Sequence, residues 1–193
     1  MIELILQDQH FKDVTTPNEF WPPKETIYEN CVFSGSNFIK SKLSGLKFYD
    51  CRFEHCDLSL ATVQQIIFQQ VEFNDCKIAG VLFDHCNPFA LEMRFSHCKL
   101  DHSSFYQLKL QQAVFQNCSL RGIDFCEAVM KGARFSGSDL MDAKFDHTDV
   151  EKADFRMAIN YQINPASNKI KGANFSLDGL PGLLAAYQIK VTL

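Results

Sequence analysis

Bulky apolar residues recur at every fifth position along most of this chain, and small or polar residues separate them. The most regular of these positions lie twenty residues apart, with one shift of two residues. They are Phe33, Phe53, Phe73, Phe95, Phe115, Phe135, Phe155 and Phe175. Helices repeat about every 3.6 residues and strands about every 2, so neither matches a five-residue period. The period predicts short extended segments, each with one inward residue, joined by turns.

Sorting the five-residue positions by their place in a twenty-residue unit gives four columns of similar residues. The first column is the phenylalanine ladder above. The second is Phe38, Leu58, Ile78, Leu100, Leu120 and Leu140; the third is Leu43, Val63, Phe83, Phe105, Phe125 and Phe145; the fourth is Phe48, Phe68, Leu110, Met130, Val150 and Ile170. Because like residues stack between neighbouring coils of a solenoid, these columns predict an all-β, four-sided rod. About eight coils at about 4.8 Å each are expected.

The residues beside each apolar centre follow a pattern of their own. The second residue before a centre is usually small, and the residue directly before it is often polar, as in Ala153-Asp154-Phe155, Ser138-Asp139-Leu140 and Ala173-Asn174-Phe175. Alternate residues of an extended segment point to the same side, so the small residue shares the interior with the centre. This pattern resembles the pentapeptide repeat family over about residues 28–180. The resemblance implies a right-handed quadrilateral β-helix.

The chain divides into three predicted segments. Residues 1–27 form an N-terminal strand and loop cap, residues 28–175 form the β-helix, and residues 176–193 form a C-terminal helix and strand. Leu6 and Phe11 are five residues apart, which is also consistent with an earlier, imperfect coil. Within the β-helix we expect a slip or small loop near residues 87–93 and a break near residues 159–169, where Pro165 occupies an expected centre.

The C-terminal segment changes its period. Leu180, Leu183, Leu184 and Tyr187 have helical spacing, and Ile189, Val191 and Leu193 then alternate as in a strand. Asp178 is a candidate N-cap, and Pro181 suits a first helical turn. The open end of a solenoid must be covered. Two readings follow: a cap within one chain, or the favoured one, a homodimer interface made by Leu180, Leu183, Leu184, Tyr187, Ile189 and Val191.

The cysteines and histidines do not predict chemistry. Seven of eight cysteines occupy the small inward position, where cysteine acts as a small hydrophobe: Cys31, Cys51, Cys56, Cys76, Cys86, Cys98 and Cys118. Five of six histidines lie two residues after a centre, at a predicted corner. No C-x-x-C pair, phosphate-binding loop, nucleophile elbow or H-E-x-x-H motif occurs. We expect no catalytic residue, no metal site, no cofactor and no enzyme activity.

Charge and hydropathy bear on partners and location. The chain has no apolar run long enough to span a membrane and no basic segment before an apolar one at its start, which predicts a cytoplasmic protein. The net charge of −4 argues against direct binding to nucleic acid. Residues 136–155 carry two lysines and six acidic residues: Asp139, Asp142, Asp146, Asp149, Glu151 and Asp154. They predict either a solvated outer face or an acidic surface that imitates a nucleic-acid backbone.

Several stretches resemble one branch of the pentapeptide repeat family, the bacterial quinolone-resistance and mycobacterial fluoroquinolone-resistance proteins. They are residues 135–140, Ala153-Asp154-Phe155 and the apolar terminal run 182–191. This resemblance implies a homodimeric rod, joined through its C-terminal ends, that binds DNA gyrase or topoisomerase IV in place of DNA and alters activity or quinolone sensitivity. Quinolone-resistance members carry two prominent loops, whereas the slip here is two residues. The alternative is a repeat scaffold for a different protein partner, without gyrase activity.

Overall fold

A computed structural model describes residues 4–15, 25–89 and 91–189 of the 193-residue chain. Its strands are β1 (Ile5–Gln7), β2 (His10–Lys12), β3 (Ile27–Glu29), β4 (Val32–Ser34), β5 (Lys47–Tyr49), β6 (Arg52–Glu54), β7 (Ile67–Gln69), β8 (Val71–Asn74), β9 (Met93–Ser96) and β10 (Val114–Gln116). One α-helix, α1 (Leu180–Leu184), lies among the described residues near the C-terminus. Short 3₁₀ turns occupy Phe83–His85, Leu177–Gly179 and Ala185–Tyr187.

The strands form the first and fourth sides of a parallel β-solenoid. The first side has the order β2-β4-β6-β8-β9-β10, and the fourth side has the order β1-β3-β5-β7. Most partners lie twenty residues apart, as in Phe33 with Phe53. The step is twenty-two residues between the first two coils, where Phe11 pairs with Phe33, and across the slip, where Phe73 pairs with Phe95. Isolated parallel bridges hold the other two sides. The predicted four-sided, all-β rod is confirmed.

The four predicted columns form the core. In the first column nine described phenylalanine rings, from Phe11 to Phe175, stack with neighbouring centroids 4.6–5.4 Å apart. Rings of the third column meet them edge-on, as Phe105 meets Phe95 at 6.0 Å. These two arrangements are the favourable geometries for aromatic pairs. Eight steps of about 4.8 Å make the stack about 38 Å long.

The small inward position has a polar function as well as a steric one. The Cys98 thiol donates to the carbonyl of Phe73 in the preceding coil at 3.2 Å. The hydroxyl groups of Ser138 and Thr148 make the equivalent bonds to Phe115 and Phe125, at 3.0 and 2.8 Å. A small hydrogen-bond donor at this position therefore satisfies a buried carbonyl. This explains why Cys, Ser and Thr recur there in addition to Ala.

The residue two positions after a centre forms a corner of the coil, and at most corners it adopts the left-handed backbone conformation with positive φ. Lys40 has φ 54°, and the N–H of Ser41 closes its turn by donating to the carbonyl of Phe38 at 3.0 Å. A positive φ at the third residue is the requirement of a type II turn. Four of the five histidines expected at corners adopt this φ, namely His55, His97, His102 and His147; the fifth, His85, ends a 3₁₀ turn.

The solenoid begins earlier than predicted. Ile5 pairs with Ile27 and Phe11 with Phe33, so residues 4–15 add strands to both sheets. These strands form the earlier coil with which the spacing of Leu6 and Phe11 is consistent, and Tyr28 stacks on Phe48 in the fourth column. Most of the predicted N-terminal loop, residues 16–24, lies outside the described residues.

The five-residue period is interrupted at two places, the slip and the break. The slip lies on the fourth side, where Phe89 is 76% exposed. At the break, Tyr161 and Ile163 are buried, and Asn168 takes the small inward position. Its side chain accepts from the N–H of Thr148 at 2.9 Å and donates to the carbonyl of Phe145 at 3.0 Å. Just after Pro165 replaces an apolar centre, an asparagine thus takes the place of the usual small donor.

The C-terminal helix differs from its prediction. It begins at Leu180 and ends at Leu184, and Pro181 lies in its first turn as expected. Asp178 is not its N-cap: Gly179 takes that place, and Asp178 lies within the preceding 3₁₀ turn. The expected terminal strand through Val191 and Leu193 lies outside the described residues. Among the described residues no helix is both long and apolar enough to cross a membrane.

Candidate partner-binding surfaces

The six acidic residues of 136–155 do not form one surface. Twenty residues make one complete coil, so this segment passes once around the rod. Asp139 lies on the second side, Asp149 on the fourth and Asp154 on the first, as their bridge partners show. Asp142 follows the second side, Asp146 belongs to the third side, and Glu151 is next to Asp149. These six residues therefore lie on different sides of the rod, and a partner-binding acidic surface made by all six stays a prediction.

Two of these carboxylates are paired with arginines. The guanidinium of Arg121 donates to Asp139 at 2.7 Å, and the Asn160 side chain donates to its other oxygen at 2.8 Å. Partial burial opposes ionisation of Asp139, but these bonds prevail and lower its pKa. Arg156 makes a fork of bonds to Asp154, at 2.9 and 2.6 Å, which lowers the pKa of that carboxyl. Both charges are locally compensated.

Lysines compensate the acids of the fourth side. Lys131 lies 3.3 Å from Asp149 and 2.9 Å from Glu151, and these contacts raise the pKa of the lysine. Lys169 approaches the same Asp149 oxygen from the next coil at 3.9 Å. The outward positions of this side between residues 109 and 171 carry five lysines and two acids, Lys109, Lys131, Lys152, Lys169, Lys171, Asp149 and Glu151. The fourth side is therefore basic in this half of the rod.

The two other acids of this segment, Asp142 and Asp146, join Asp124 and Glu127 of the preceding coil in a narrower surface along the third side and its two corners. We call these four residues the acidic stripe. Among the described residues none of the four has a lysine or arginine nitrogen within 4.0 Å, and His147 lies 3.1 Å from Asp146. Glu127 accepts from Tyr106 at 2.9 Å and Gln107 at 2.7 Å, which lowers its pKa. Lys144 lies between these residues on the same side.

The pKa of the Cys126 thiol is affected by two carboxylates of the acidic stripe, Asp124 and Asp146. Partial burial, its interaction with Asp124 and the charge of Asp146 raise the pKa of its thiol to about 11. Sequence reasoning missed Asp124 and Glu127 because they precede the acidic segment. Their positions twenty residues before Lys144 and His147 are the signal that would have found them.

The C-terminal segment is partly attached to the end of the rod. Leu183 packs against the core, and the N–H of Ile163 donates to the carbonyl of Gly182 at 3.1 Å. Leu180, Tyr187 and Ile189 remain 40%, 57% and 56% exposed, and Leu184 is half-buried. Val191 lies outside the described residues. Intramolecular capping thus uses one of the predicted dimer residues and leaves an apolar edge.

The cysteines behave as structural residues. All eight are free thiols and seven are buried. Burial raises the pKa of the Cys51 thiol to about 12, which disfavours the reactive thiolate. Within the described ranges no group of three or more His, Cys, Asp or Glu side chains is placed to hold a metal ion.

Comparison with known families agrees with this geometry. A model described as "Pentapeptide repeat region" matches residues 46–125 and 90–175, and one described as "Pentapeptide repeats (8 copies)" matches residues 24–54. The chain belongs to the pentapeptide repeat family. A search among curated proteins gives no match.

Solved structures similar to this pentapeptide repeat protein include two trypsin-treated variants of QnrB1, a plasmid-mediated fluoroquinolone resistance protein. One aligns with a TM-score of 0.59 and 18% identity over 98% of both chains. The other aligns with a TM-score of 0.56 and 18% identity over 99% of this chain and 100% of that chain. At this level of identity the likeness establishes the shared fold.

Proposed function

We propose that this pentapeptide repeat protein is a non-catalytic, cytoplasmic, DNA-mimicking partner of a bacterial type II topoisomerase, DNA gyrase or topoisomerase IV. The acidic stripe carries this proposal, because its carboxylates have no lysine or arginine nitrogen within 4.0 Å among the described residues and lie along the third side of the rod and its corners. Unpaired charges of one sign attract a surface that normally binds DNA phosphates. The fold shared with QnrB1, a plasmid-mediated fluoroquinolone resistance protein, is consistent with a role linked to quinolones.

The separation of charge orients the rod on its partner. The acidic stripe lies on the third side and the lysine-rich surface on the fourth, so a DNA-binding groove attracts one side and repels the other. Asp139, Asp149, Glu151 and Asp154 are paired with cations and contribute less to this attraction. The proposed contact residues are therefore Asp124, Glu127, Asp142 and Asp146.

A supercoiling assay with purified gyrase, with and without a quinolone, tests the proposal. We expect micromolar protein to change supercoiling or drug sensitivity, and the double variant Asp142→Asn with Asp146→Asn to be at least about fivefold less effective. The matched control is Glu54→Gln with Glu72→Gln on the first side, which changes the net charge equally. Absence of both an effect and a complex, or equal losses in the two variants, would refute the proposal.

We also propose a homodimer through the C-terminal residues Leu180, Leu183, Leu184, Tyr187, Ile189 and Val191. The exposed edge of Leu180, Tyr187 and Ile189 supports it, because contiguous exposed apolar surface favours association. Light scattering should show a dimer for the wild type and a monomer for Leu180→Asp with Ile189→Asp. Leu60→Asp, at a distant exposed leucine, should remain dimeric. A monomeric wild type would refute the dimer, and the C-terminal segment would then only cap the end of its own rod.

A second candidate is a scaffold that binds a different protein. The observation in its favour is a cleft of about 710 Å³ between the last coil and the C-terminal segment, whose wall includes the exposed apolar side chains of Met157 (72% exposed) and Ile159 (54% exposed). Elsewhere the outward positions are mostly polar. Capture of a lysate protein that is not a topoisomerase, and its loss with Met157→Asp but not with Glu72→Gln, would favour this candidate.

A further inference from the structure

Two exposed leucines interrupt the polar outer surface of the third side. Leu60 lies at the corner before this side with φ 58°, and Leu82 lies in its outward row, paired with Ser104. They are 53% and 45% exposed. Among the described residues with positive φ, glycines aside, Leu60 and Met157 alone are apolar. The other described members of the row of Leu82 are polar: Lys42, Thr62, Ser104, Asp124 and Lys144. The repeat therefore does not require leucine at either position.

The two leucines line a cleft of about 290 Å³. Its wall consists of Leu60, Ala61, Thr62, Val63, Gln64, Gly80, Leu82 and His85. The cleft coincides with the 3₁₀ turn Phe83–His85, and within the described ranges no bridge joins Thr62 to Leu82. Gly80 gives the cleft room, because a Cβ there would lie 2.7 Å from Cδ2 of Leu60. The cleft is thus formed by a local change in the coil and by a glycine.

A carboxylate with an unused acceptor lies next to this cleft. Oδ1 of Asp84 is buried and has no hydrogen-bond partner among the described residues, while Oδ2 lies 3.7 Å from Nε2 of His85. Buried carboxylate oxygens normally accept a hydrogen bond. Asp84 therefore favours an occupant of the cleft that carries a hydrogen-bond donor, and the negative charge favours a cationic one.

The third side changes from apolar to acidic toward the C-terminal end of the rod. Leu60 and Asp142 lie at the same corner four coils apart, which is about 19 Å. The acidic stripe thus begins within reach of a segment that starts in the cleft. Lys40 and Lys42 lie on the opposite side of the cleft, and Lys144 is the one lysine beside the stripe among the described residues. This order of charge directs the basic part of an occupant toward the stripe.

We propose that the third side binds a basic amphipathic helix of a protein partner, with apolar side chains in the cleft and cations on the acidic stripe. The inference rests on the proposed function in that both use this stripe. The rod's strands run across its axis, so a segment along the axis cannot extend their ladder. A helix satisfies its own backbone and binds through side chains. At 1.5 Å per residue, about 13 residues span the distance from Leu60 to Asp142.

A labelled helical peptide of about eighteen residues is the probe, with leucines at one end of one face and lysines along the rest of that face. Fluorescence anisotropy at low salt should show saturable binding, at least about tenfold tighter than that of two control peptides. One control has glutamate in place of lysine, and the other has serine in place of leucine. Equal binding of either control, or no saturable binding at millimolar peptide, would overturn the proposal.

Two variants test the place of binding. Leu60→Gln with Leu82→Gln removes the apolar wall without changing charge and should weaken binding at least about fivefold. Asp84→Asn should weaken it at least about twofold. The matched control is Met157→Gln with Ile159→Gln, which alters two exposed apolar residues elsewhere and should bind as the wild type does. Unchanged binding in the leucine double variant, or an equal loss in the control, would refute the assignment.

The supercoiling assay separates this inference from the proposed function. Saturable peptide binding without any effect on gyrase would refute the topoisomerase partner and support this surface. A gyrase effect that the wild type and the leucine double variant share, without peptide binding, would refute this surface and support the proposed function. Light scattering that shows a dimer only when both leucines are present would assign the surface to a second copy, and would also overturn the proposal.

Discussion

Phe115 provides the strongest test of the energetics of the phenylalanine ladder. Its ring is fully buried and stacks on Phe95 at 5.2 Å and Phe135 at 5.4 Å. It also meets Phe105 and Phe125 edge-on, at 5.8 and 5.6 Å. Truncation of a buried phenylalanine to alanine costs about 3–5 kcal/mol. Loss of four ring contacts, each worth about 0.5–1.5 kcal/mol, places Phe115→Ala near the upper end, at about 4–5 kcal/mol.

Phe175→Ala is the matched control at the end of the same column. Phe175 is only half-buried and contacts two rings, Phe155 at 5.2 Å and Tyr161 at 5.8 Å, so its loss should cost about 2 kcal/mol. Urea unfolding followed by far-UV circular dichroism measures both free energies of unfolding by linear extrapolation. The reasoning fails if Phe115→Ala costs less than about 2 kcal/mol or no more than Phe175→Ala.

Three further changes test polar groups of the rod. Asn168→Ala leaves buried backbone groups without hydrogen-bond partners and should lower the free energy of unfolding by about 2–3 kcal/mol in urea. Asn174→Ala, at an exposed asparagine, should leave this free energy nearly unchanged. At pH 8 a thiol reagent should modify native protein only slowly, at the half-buried Cys126 whose pKa is raised to about 11, and should reach all eight cysteines after unfolding. Arg156 lowers the pKa of Asp154 in the folded state, so this stabilisation is present above the unfolded pKa of about 3.9 and lost as pH falls below it. Asp154→Asn should therefore lower stability at pH 7, by at most about 1 kcal/mol, and not at pH 2, as thermal melts would show; an equal loss at both pH values would contradict this origin.

The architecture could be predicted because the repeat is local. An inward residue packs mainly on residues twenty positions before and after it, so the period alone places Phe33 beside Phe53. The same reasoning located the slip and the break, where the period changes. It left the start of the rod open, because Leu6, Phe11 and Tyr28 do not form an unbroken five-residue run, and strand pairing places residues 4–15 in the sheets.

The binding surfaces could not be predicted in the same way. Asp142 and Asp146 retain uncompensated charge, whereas Asp149 meets Lys131 from one neighbouring coil and Lys169 from the other. These partners depend on which side of the rod each residue occupies. A count of charge along twenty consecutive residues averages over all four sides and hides the difference.

The sequence by itself determined the four-sided rod, its columns and the inward location of the cysteines, because a five-residue period prescribes which side chains enter the core. The tertiary structure decided which acids remain unpaired and where the two-residue slip interrupts the backbone ladder. Charge pairing and ladder closure depend on contacts between coils at the outer surface, where the repeat constrains direction but not residue type. The acidic stripe follows from those contacts.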